Sequence, residues 1–209
     1  QHPSIKDNVE LQKEISAFIG QEAMHTQEHE GFNVSAQKYG HDVATLDRYT
    51  DRAIQTTRKV FAFLGKPVGI TQEMVDLTAT TALEHFTATI ASQLLVNNHI
   101  QELMSDETMK TMWLWHAIEE NEHKAVAYDV FEGVFGKGIK SYLLRTGSLV
   151  AAMAILFCVQ SYFVFLLLKQ DKQLNRAALN DLYTYAYSTS KGIITGMARE
   201  MIMYFQPGF

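Results

Sequence analysis

The chain has 209 residues, 47% of them apolar, which is enough for one compact domain with a sizeable core. Its formal net charge is −5, and its lysines and arginines form no run that could follow a phosphate backbone, so no nucleic-acid partner is expected. One cysteine excludes an internal disulfide. Only Pro3, Pro67 and Pro207 can interrupt a helix, and this predicts an all-α fold.

Four long helices are predicted before residue 140, and the first two lie in the first third of the chain. Apolar residues at helical spacing predict the first helix from about Ile5 to Gly31, where Gly-Phe-Asn is expected to stop it. The second is predicted from about Ser35 or Asp42 to Leu64. The glycine that follows Leu64 is expected to form a left-handed cap, with proline blocking any continuation.

The third and fourth helices have start signals of their own. Thr71 is predicted to be the N-cap of a helix that continues to about Met104. The Ser-Asp-Glu sequence around Asp106 predicts a break and a new cap, followed by a helix to about Val134. Three glycines, at positions 133, 136 and 138, are expected to end it.

The remainder of the chain begins with a long apolar stretch. No charged residue occurs in 146–168, and this stretch is about as long as a helix that spans a bilayer. It predicts either membrane contact, as a span or an anchor in one leaflet, or a core helix enclosed by its neighbours. A tyrosine-rich amphipathic segment is predicted at 174–204. We expect residues 1–140 to form a helical bundle and residues 141–209 to add C-terminal helices to the same domain.

The strongest motif is Glu-x-x-His, which occurs as Glu22/His25 and again as Glu120/His123. Residues three apart on a helix share a face, so each motif directs a carboxylate and an imidazole at the same point. Each motif glutamate is also preceded by a polar residue, Gln21 or Glu119. We predict that these two side chains orient the ligand imidazoles through hydrogen bonds.

Two Glu-x-x-His helices are half of the ligand plan of bundle proteins that bind two iron or manganese ions, in which two further helices give one glutamate each. Glu84 fits this role, because it lies in an otherwise apolar and small-residue stretch where an unpaired charge is costly. Glu84 precedes Glu120 by 36 residues, so an equivalent partner for Glu22 would fall at 22 − 36 = −14, before the first residue. The fourth carboxylate is therefore expected on an N-terminal helix outside this chain.

Further histidines lie close to these ligands. His29 and His116 are predicted as additional metal ligands or as hydrogen-bonding neighbours of the ligands, and His85 is a weaker candidate. The predicted metal ligands are therefore Glu22, His25, His29, Glu84, His116, Glu120 and His123, and the predicted catalytic residues are Glu22, Glu84 and Glu120. Carboxylates and imidazoles without thiolate favour two iron ions, with manganese or zinc as alternatives.

Three blocks of the sequence, taken together, resemble a known family. They run from Phe18-Ile-Gly-Gln-Glu22 to Asn33, over Glu84-His-x-Thr-Ala88, and from Trp115-His through Glu119-Glu-x-Glu-His to Asp129. This arrangement resembles the bacterial predicted metal-dependent hydrolases, which are similar to ferritin-like di-iron proteins. The resemblance implies a ferritin-like four-helix bundle with extra C-terminal helices, one very hydrophobic. It also implies that natural N- and C-terminal segments are missing here.

Three functions remain open from the sequence. The resemblance implies a metal-dependent hydrolase. The ligand set and the apolar stretch favour a di-iron oxidase or oxygenase that acts on an apolar, lipid-like small molecule. A non-catalytic metal-binding subunit of a larger membrane assembly is the third, and a homo-oligomer is also open. The expected location is the bacterial cytoplasm, peripheral or integral at the inner membrane.

Overall fold

The computed structural model describes residues 2–189 and 192–209, and within these ranges the chain forms helices and no strand, which confirms the all-α prediction. In chain order the helices are α1 (Pro3–Lys6), α2 (Val9–Lys38), α3 (Val43–Gly65), α4 (Gln72–Val96), α5 (Asn98–Glu102), α6 (Glu107–Phe135), α7 (Ile139–Gln170), α8 (Arg176–Tyr187) and α9 (Ile193–Met203), with a short 3-10 turn at Lys66–Val68.

Three predicted helix starts are confirmed by capping hydrogen bonds. The side chains of Asp42, Thr71 and Asp106 each accept a backbone N–H three residues further on, at the beginning of α3, α4 and α6. Such a bond satisfies one of the amide groups that have no partner within the first turn of a helix. The capping chemistry therefore decides where α3, α4 and α6 begin.

Several predicted helix ends are wrong. Gly31 does not stop the first helix, because α2 continues through it to Lys38; a glycine inside a helix costs only about 1 kcal/mol, which a long helix tolerates. The start was also misplaced, since Ile5 belongs to the separate helix α1 and Asn8 caps α2. Met104 lies beyond α4, which ends before Asn97 caps the short helix α5.

The glycines take up roles other than those predicted. Gly65 is the last residue of α3 and keeps a right-handed φ of −78°, whereas the left-handed residue is Gly69, at φ 75°. Gly65 is needed for space instead, because a Cβ there would lie 2.7 Å from the Cβ of Ile70. Gly133 lies inside α6, and the chain turns into α7 at Gly136, at φ 67°. The predicted helix at 174–204 is two helices, α8 and α9, and residues 190–191 between them lie outside the described residues.

Helix α4 lies at the centre of the fold and contacts α3, α6, α7 and α9. Toward α6 its side chains are small: Ala91 packs against Ala117, and the Thr81 hydroxyl donates to the carbonyl of Ala127 at 3.2 Å, which lets the two helices approach closely. Helix α2 contacts both α6 and α3, so α2, α6, α4 and α3 contact one another in cyclic order, as in a four-helix bundle. The site described below lies among α2, α4 and α6.

The apolar helix α7 lies beside this bundle. Its buried residues, Ser141, Arg145, Thr146 and Leu149, are all near its beginning. In its most apolar 18-residue window the mean hydropathy is 2.3 and only 6% is buried, so α7 is not a core helix enclosed by its neighbours. By length and composition α7 could cross a membrane.

Candidate metal centre

Three helices bring the predicted ligands to one place. Glu22 and His25 come from α2, and Glu120 and His123 come from the facing part of α6. One ligand atom from each of these four residues lies within 4.8 Å of the other three. The spacing of three residues within each motif achieves this, because it puts both ligands on the helix face that looks toward the partner helix.

The contacts within the centre cross from one motif to the other. Glu22 Oε1 lies 2.8 Å from His123 Nδ1 and 3.4 Å from His25 Nδ1. Glu120 Oε1 lies 3.6 Å from His25 Nδ1. The two imidazoles are almost completely buried, with 3% and 1% of their side chains exposed.

In each imidazole, Nε2 points away from the centre and donates to a side chain on the facing helix. The acceptor is the residue that precedes the glutamate of the other motif. His25 Nε2 donates to Glu119 Oε2 at 2.9 Å, and His123 Nε2 donates to Gln21 Oε1 at 3.3 Å. Gln21 Nε2 in turn donates to Glu119 Oε1 at 3.0 Å, which joins the two pairs. The predicted hydrogen bonds from Gln21 and Glu119 to the imidazoles are thus present, and each connects α2 with α6.

Among the described residues, four buried atoms that face the centre form no hydrogen bond of good geometry, although His123 Nδ1 lies 2.8 Å from Glu22 Oε1. They are Nδ1 of His25, Nδ1 of His123, Oε2 of Glu84 and Oε2 of Glu120. Because each Nε2 donates outward, a neutral imidazole carries no proton on Nδ1 and presents a lone pair to carboxylate oxygens. Lone pairs and carboxylates repel one another unless a cation lies between them. These residues therefore fit a metal ion, and the donor set of oxygen and imidazole nitrogen suits iron, manganese or zinc.

Glu84 of α4 lies at the side of this cluster. Its Oε2 is 3.8 Å from His123 Nδ1, and 13% of its side chain is exposed. Burial, and then repulsion from Glu120 and Glu22, raise the pKa of Glu84 to about 7. A hydrogen bond with the neighbouring His123 lowers the pKa of Glu22. Burial acts to lower the pKa of His123, but its contact with Glu22 outweighs this and raises it. The buried carboxyl of Glu84 is the group whose charge most needs a compensating cation.

The two additional histidines lie at different distances from the centre. His116 Nε2 is 3.2 Å from Glu120 Oε1, and its ring centroid is 3.9 Å from that of His25. His29 stands one layer further out, exposed, with its ring 5.3 Å from His116 and 5.8 Å from Trp113. The ring of His29 is still partly shielded from water by its neighbours, and this partial desolvation lowers its pKa, with further lowering from His116 and His25. The structure thus places His116, and not His29, against a carboxylate of the centre.

His85 follows Glu84 but contacts the C-terminal turn. Its ring stacks on Tyr204 at 4.3 Å and meets Phe209 edge-on. Burial, and then Lys124, lower the pKa of His85 to about 4, so it is neutral at pH 7. Arg145 holds the same turn, because its Nη1 donates to the carbonyl of Tyr204 at 2.6 Å.

Other residues at the centre had no role assigned from the sequence. The ring of Phe18 packs edge-on against His123 at 4.8 Å, and Trp115 packs against His25 at 5.6 Å. Burial acts to raise the pKa of the Glu120 carboxyl, but hydrogen bonds from His116 and then from Thr87 lower it. The signal in the sequence was the spacing, since Phe18 lies four residues before Glu22 on the same face of α2.

Comparison with known proteins gives one result. No curated protein and no solved structure matches the chain. A family model described as predicted metal-dependent hydrolase matches residues 1–209. This agrees with a buried Glu/His group that could hold a metal ion. The chain therefore belongs to the family of predicted metal-dependent hydrolases.

Proposed function

We propose that this protein is a hydrolase with a dinuclear metal centre bound by Glu22, His25, Glu84, Glu120 and His123. The observation that carries the proposal is the convergence of buried nitrogen and oxygen donors from α2 and α6, with Glu84 of α4 beside them, and few well-formed hydrogen bonds among these described residues. Two imidazole nitrogens and six carboxylate oxygens exceed the roughly six positions of one octahedral ion, which favours two ions. The hard oxygen donors make iron the first choice, with manganese or zinc as alternatives.

When bound, the metal ions would supply a water of lowered pKa and would polarise a carbonyl or phosphoryl oxygen of the substrate, which makes the attached carbon or phosphorus more electrophilic. The side chains of the protein prepare the site for this chemistry. Gln21 and Glu119 fix the imidazoles with Nδ1 directed inward, while Phe18 and Trp115 pack on the imidazoles and exclude water from that side. Glu84 keeps an unpaired Oε2, which is placed to bind metal or to accept a proton.

The second candidate is a di-iron oxidase or oxygenase that acts on a lipid-like substrate. Two observations favour it: the centre is rich in carboxylates, and α7 exposes an apolar surface with Phe157 and Phe165. This surface supports membrane contact over 146–168, from which an apolar substrate would arrive. A non-catalytic metal subunit of a membrane assembly would share these features but turn over no substrate.

Metal content and reactivity together separate these functions. We expect about two metal ions per chain and metal-dependent cleavage of ester substrates. The substitution Glu120→Gln should remove most of the bound metal, whereas Glu107→Gln, at the exposed start of the same helix, should retain it. Two irons with a charge-transfer band after anaerobic reduction and exposure to oxygen, without ester cleavage, would establish the oxygenase instead.

The same measurements have an outcome that contradicts the centre itself. If metal binds substoichiometrically and persists after Glu120→Gln, the dinuclear site is wrong. Two bound ions without turnover in either assay would assign the protein to the non-catalytic class.

A further inference from the structure

An elongated apolar cavity of about 630 Å³ lies between α3, α4 and α7. On α3 its lining extends from Thr50 to Leu64, and on α7 from Leu143 to Val159. At 1.5 Å per helical residue these stretches are roughly 20 Å long. The two helices run in opposite directions, and the rings of Tyr49 and Tyr162, 5.6 Å apart, bring them together beyond one end of the cavity.

This cavity is distinct from the metal centre. Leu83 of α4 lines the cavity, whereas Glu84, the next residue, lies at the metal centre on another face of the same helix. Helix α4 therefore separates the two spaces. An inference about the cavity does not depend on the proposed function.

The walls offer an aliphatic surface with little hydrogen-bonding capacity. Thr57, next to Arg58, is one of four hydroxyl side chains among the described lining residues. The other three, Thr50, Thr78 and Ser148, each donate their hydroxyl to a backbone carbonyl of their own helix. These hydroxyl protons are therefore not available to a ligand. A polar ligand would lose its hydrogen bonds to water without replacement, whereas a hydrocarbon chain would lose nothing.

One charged side chain lines the cavity. It is Arg58, and no acidic residue is among the lining residues that the structure describes. Asp76, outside the lining, accepts from Arg58 Nε at 2.7 Å and from Nη2 at 2.6 Å. This pair fixes the plane of the guanidinium group and leaves Nη1 outside the pair. Because 40% of the Arg58 side chain is exposed, it is in contact with solvent, and an anionic group at Nη1 would take the place of water as the acceptor.

We propose that this cavity binds one long-chain carboxylate, with its alkyl chain between α3 and α7 and its carboxylate at Arg58. The volume lies within the range of about 300–1,000 Å³ found for small-molecule sites. The length exceeds the roughly 15 Å that an acyl chain occupies in one leaflet of a bilayer. The one guanidinium nitrogen outside the pair with Asp76 can bind a single carboxylate. A phospholipid would bring a second alkyl chain, and the cavity has the length of one.

Displacement of a fluorescent fatty acid from the full chain tests this assignment. The probe is cis-parinaric acid. The competitors are palmitate and hexadecanol, which have alkyl chains of the same length and differ in the head group. We expect one probe per chain and at least tenfold stronger displacement by palmitate. In Arg58→Gln this preference should fall below threefold.

A matched pair of substitutions on α7 tests where the alkyl chain of the ligand lies. Ala151 lines the cavity and Ala154, one turn away, is exposed. Ala151→Trp should weaken probe binding at least tenfold, and Ala154→Trp should leave it within twofold, with helix content checked by circular dichroism. If Ala151→Trp does not fold, Ala53→Phe on α3 fills the same cavity.

Three outcomes overturn the proposal. Equal competition by hexadecanol and palmitate removes the role of Arg58. Equal weakening by Ala151→Trp and Ala154→Trp moves binding away from the cavity. Solvent extraction of the purified protein that yields stoichiometric phospholipid, and no fatty acid, assigns the space to a two-chain lipid instead.

Discussion

At the scale of single residues, we expect the hydrogen bonds that Nε2 of His25 and Nε2 of His123 donate to set how tightly the centre binds metal. Glu119 holds His25 through Nε2, and it also accepts from Gln21. Glu119→Leu should therefore weaken metal binding roughly 10–100-fold without unfolding the protein, because the imidazole loses its orientation. Competition with a chelator of known affinity measures the change.

The control for this prediction lies one turn away. Glu122 is exposed and reaches Gln21 only at 3.5 Å. Glu122→Leu should change metal affinity less than threefold, and Glu119→Gln, which keeps a hydrogen-bond acceptor, should fall between the two leucine variants. Equal losses in the two leucine variants would mean that the effect comes from general charge and not from orientation of His25.

Glu84 predicts a pH dependence for the stability of the metal-free protein. Its pKa in the folded protein, about 7, lies above the ordinary value of 4.5, so the folded state binds the proton more tightly than the unfolded state. This contribution to stability is complete below pH 4.5 and is lost as the pH rises through 7. Glu84→Gln should therefore stabilise the metal-free protein by roughly 2–3 kcal/mol at pH 8 and hardly at all at pH 4.5.

Urea denaturation in the presence of a chelator, at pH 4.5 and pH 8, measures this difference. Glu73→Gln at the exposed start of α4 serves as the control. A gain for Glu84→Gln that is the same at both pH values would show that burial of Glu84 is not the cause.

The sequence predicted that Glu22, His25, Glu120 and His123 lie together, because the information it used is local. Three-residue spacing directs two side chains to one helix face, whatever the rest of the fold does. A shared helix face was not enough to predict the position of His29. His29 lies four residues after His25, and this spacing also moves a side chain by about 6 Å along the helix axis. That shift carries His29 past the carboxylates to Trp113. The ligand roles of all these residues stay predictions until metal binding is measured.

At the scale of helices, three starts marked by a cap residue were predicted, whereas the start of α2 and the ends expected at Gly31 and Met104 were not. Asp42, Thr71 and Asp106 cap their helices through a specific hydrogen bond that few residue types can make. Glycine has no comparable positive signal. Gly31 continues a helix and Gly65 permits close contact with Ile70, and only tertiary packing distinguishes these roles from a cap.

Helix α2 is weakly anchored apart from the centre. Of its 30 residues, Leu11 and His25 are the ones fully buried among the residues that the structure describes. Bound metal would tie His25 and Glu22 to α6, so we expect the amides of α2 to exchange hydrogen at least tenfold faster in metal-free protein. Amides of α4, which is packed on four helices, should change less than twofold.

Hydrogen–deuterium exchange followed by mass spectrometry resolves these segments. Loss of protection in α2 and α4 to the same degree would indicate that metal stabilises the whole bundle uniformly. No difference in α2 would contradict the expectation that metal connects α2 and α6.

At the scale of the whole molecule, the exposed surface of α7 predicts attachment to lipid. Phe157 is 63% exposed and Phe165 is 45% exposed, on a helix whose apolar stretch has few buried residues. Exchanging both for glutamate should reduce flotation of the protein with lipid vesicles at least fivefold, because a charge in the apolar interior of a bilayer is costly. Val9→Glu, a similar change at an exposed position on α2, should leave flotation unchanged.

Treatment of the vesicles with high salt distinguishes an apolar attachment from an electrostatic one. Release of the protein from vesicles by high salt alone would contradict an apolar attachment, since electrostatic contacts are screened and apolar ones are not. The sequence identified the apolar stretch but left open whether neighbouring helices enclose it. Only the arrangement of α3, α4 and α7 shows that they do not.

The sparse burial of α2 has a consequence for the lifetime of the protein in a cell. Proteases cut segments that open locally, and cleavage follows the population of the open form when opening is fast. An α2 helix tied to α6 through metal would open rarely, and a metal-free one often. The abundance of the protein would then follow the supply of its metal, with no need for a separate sensor.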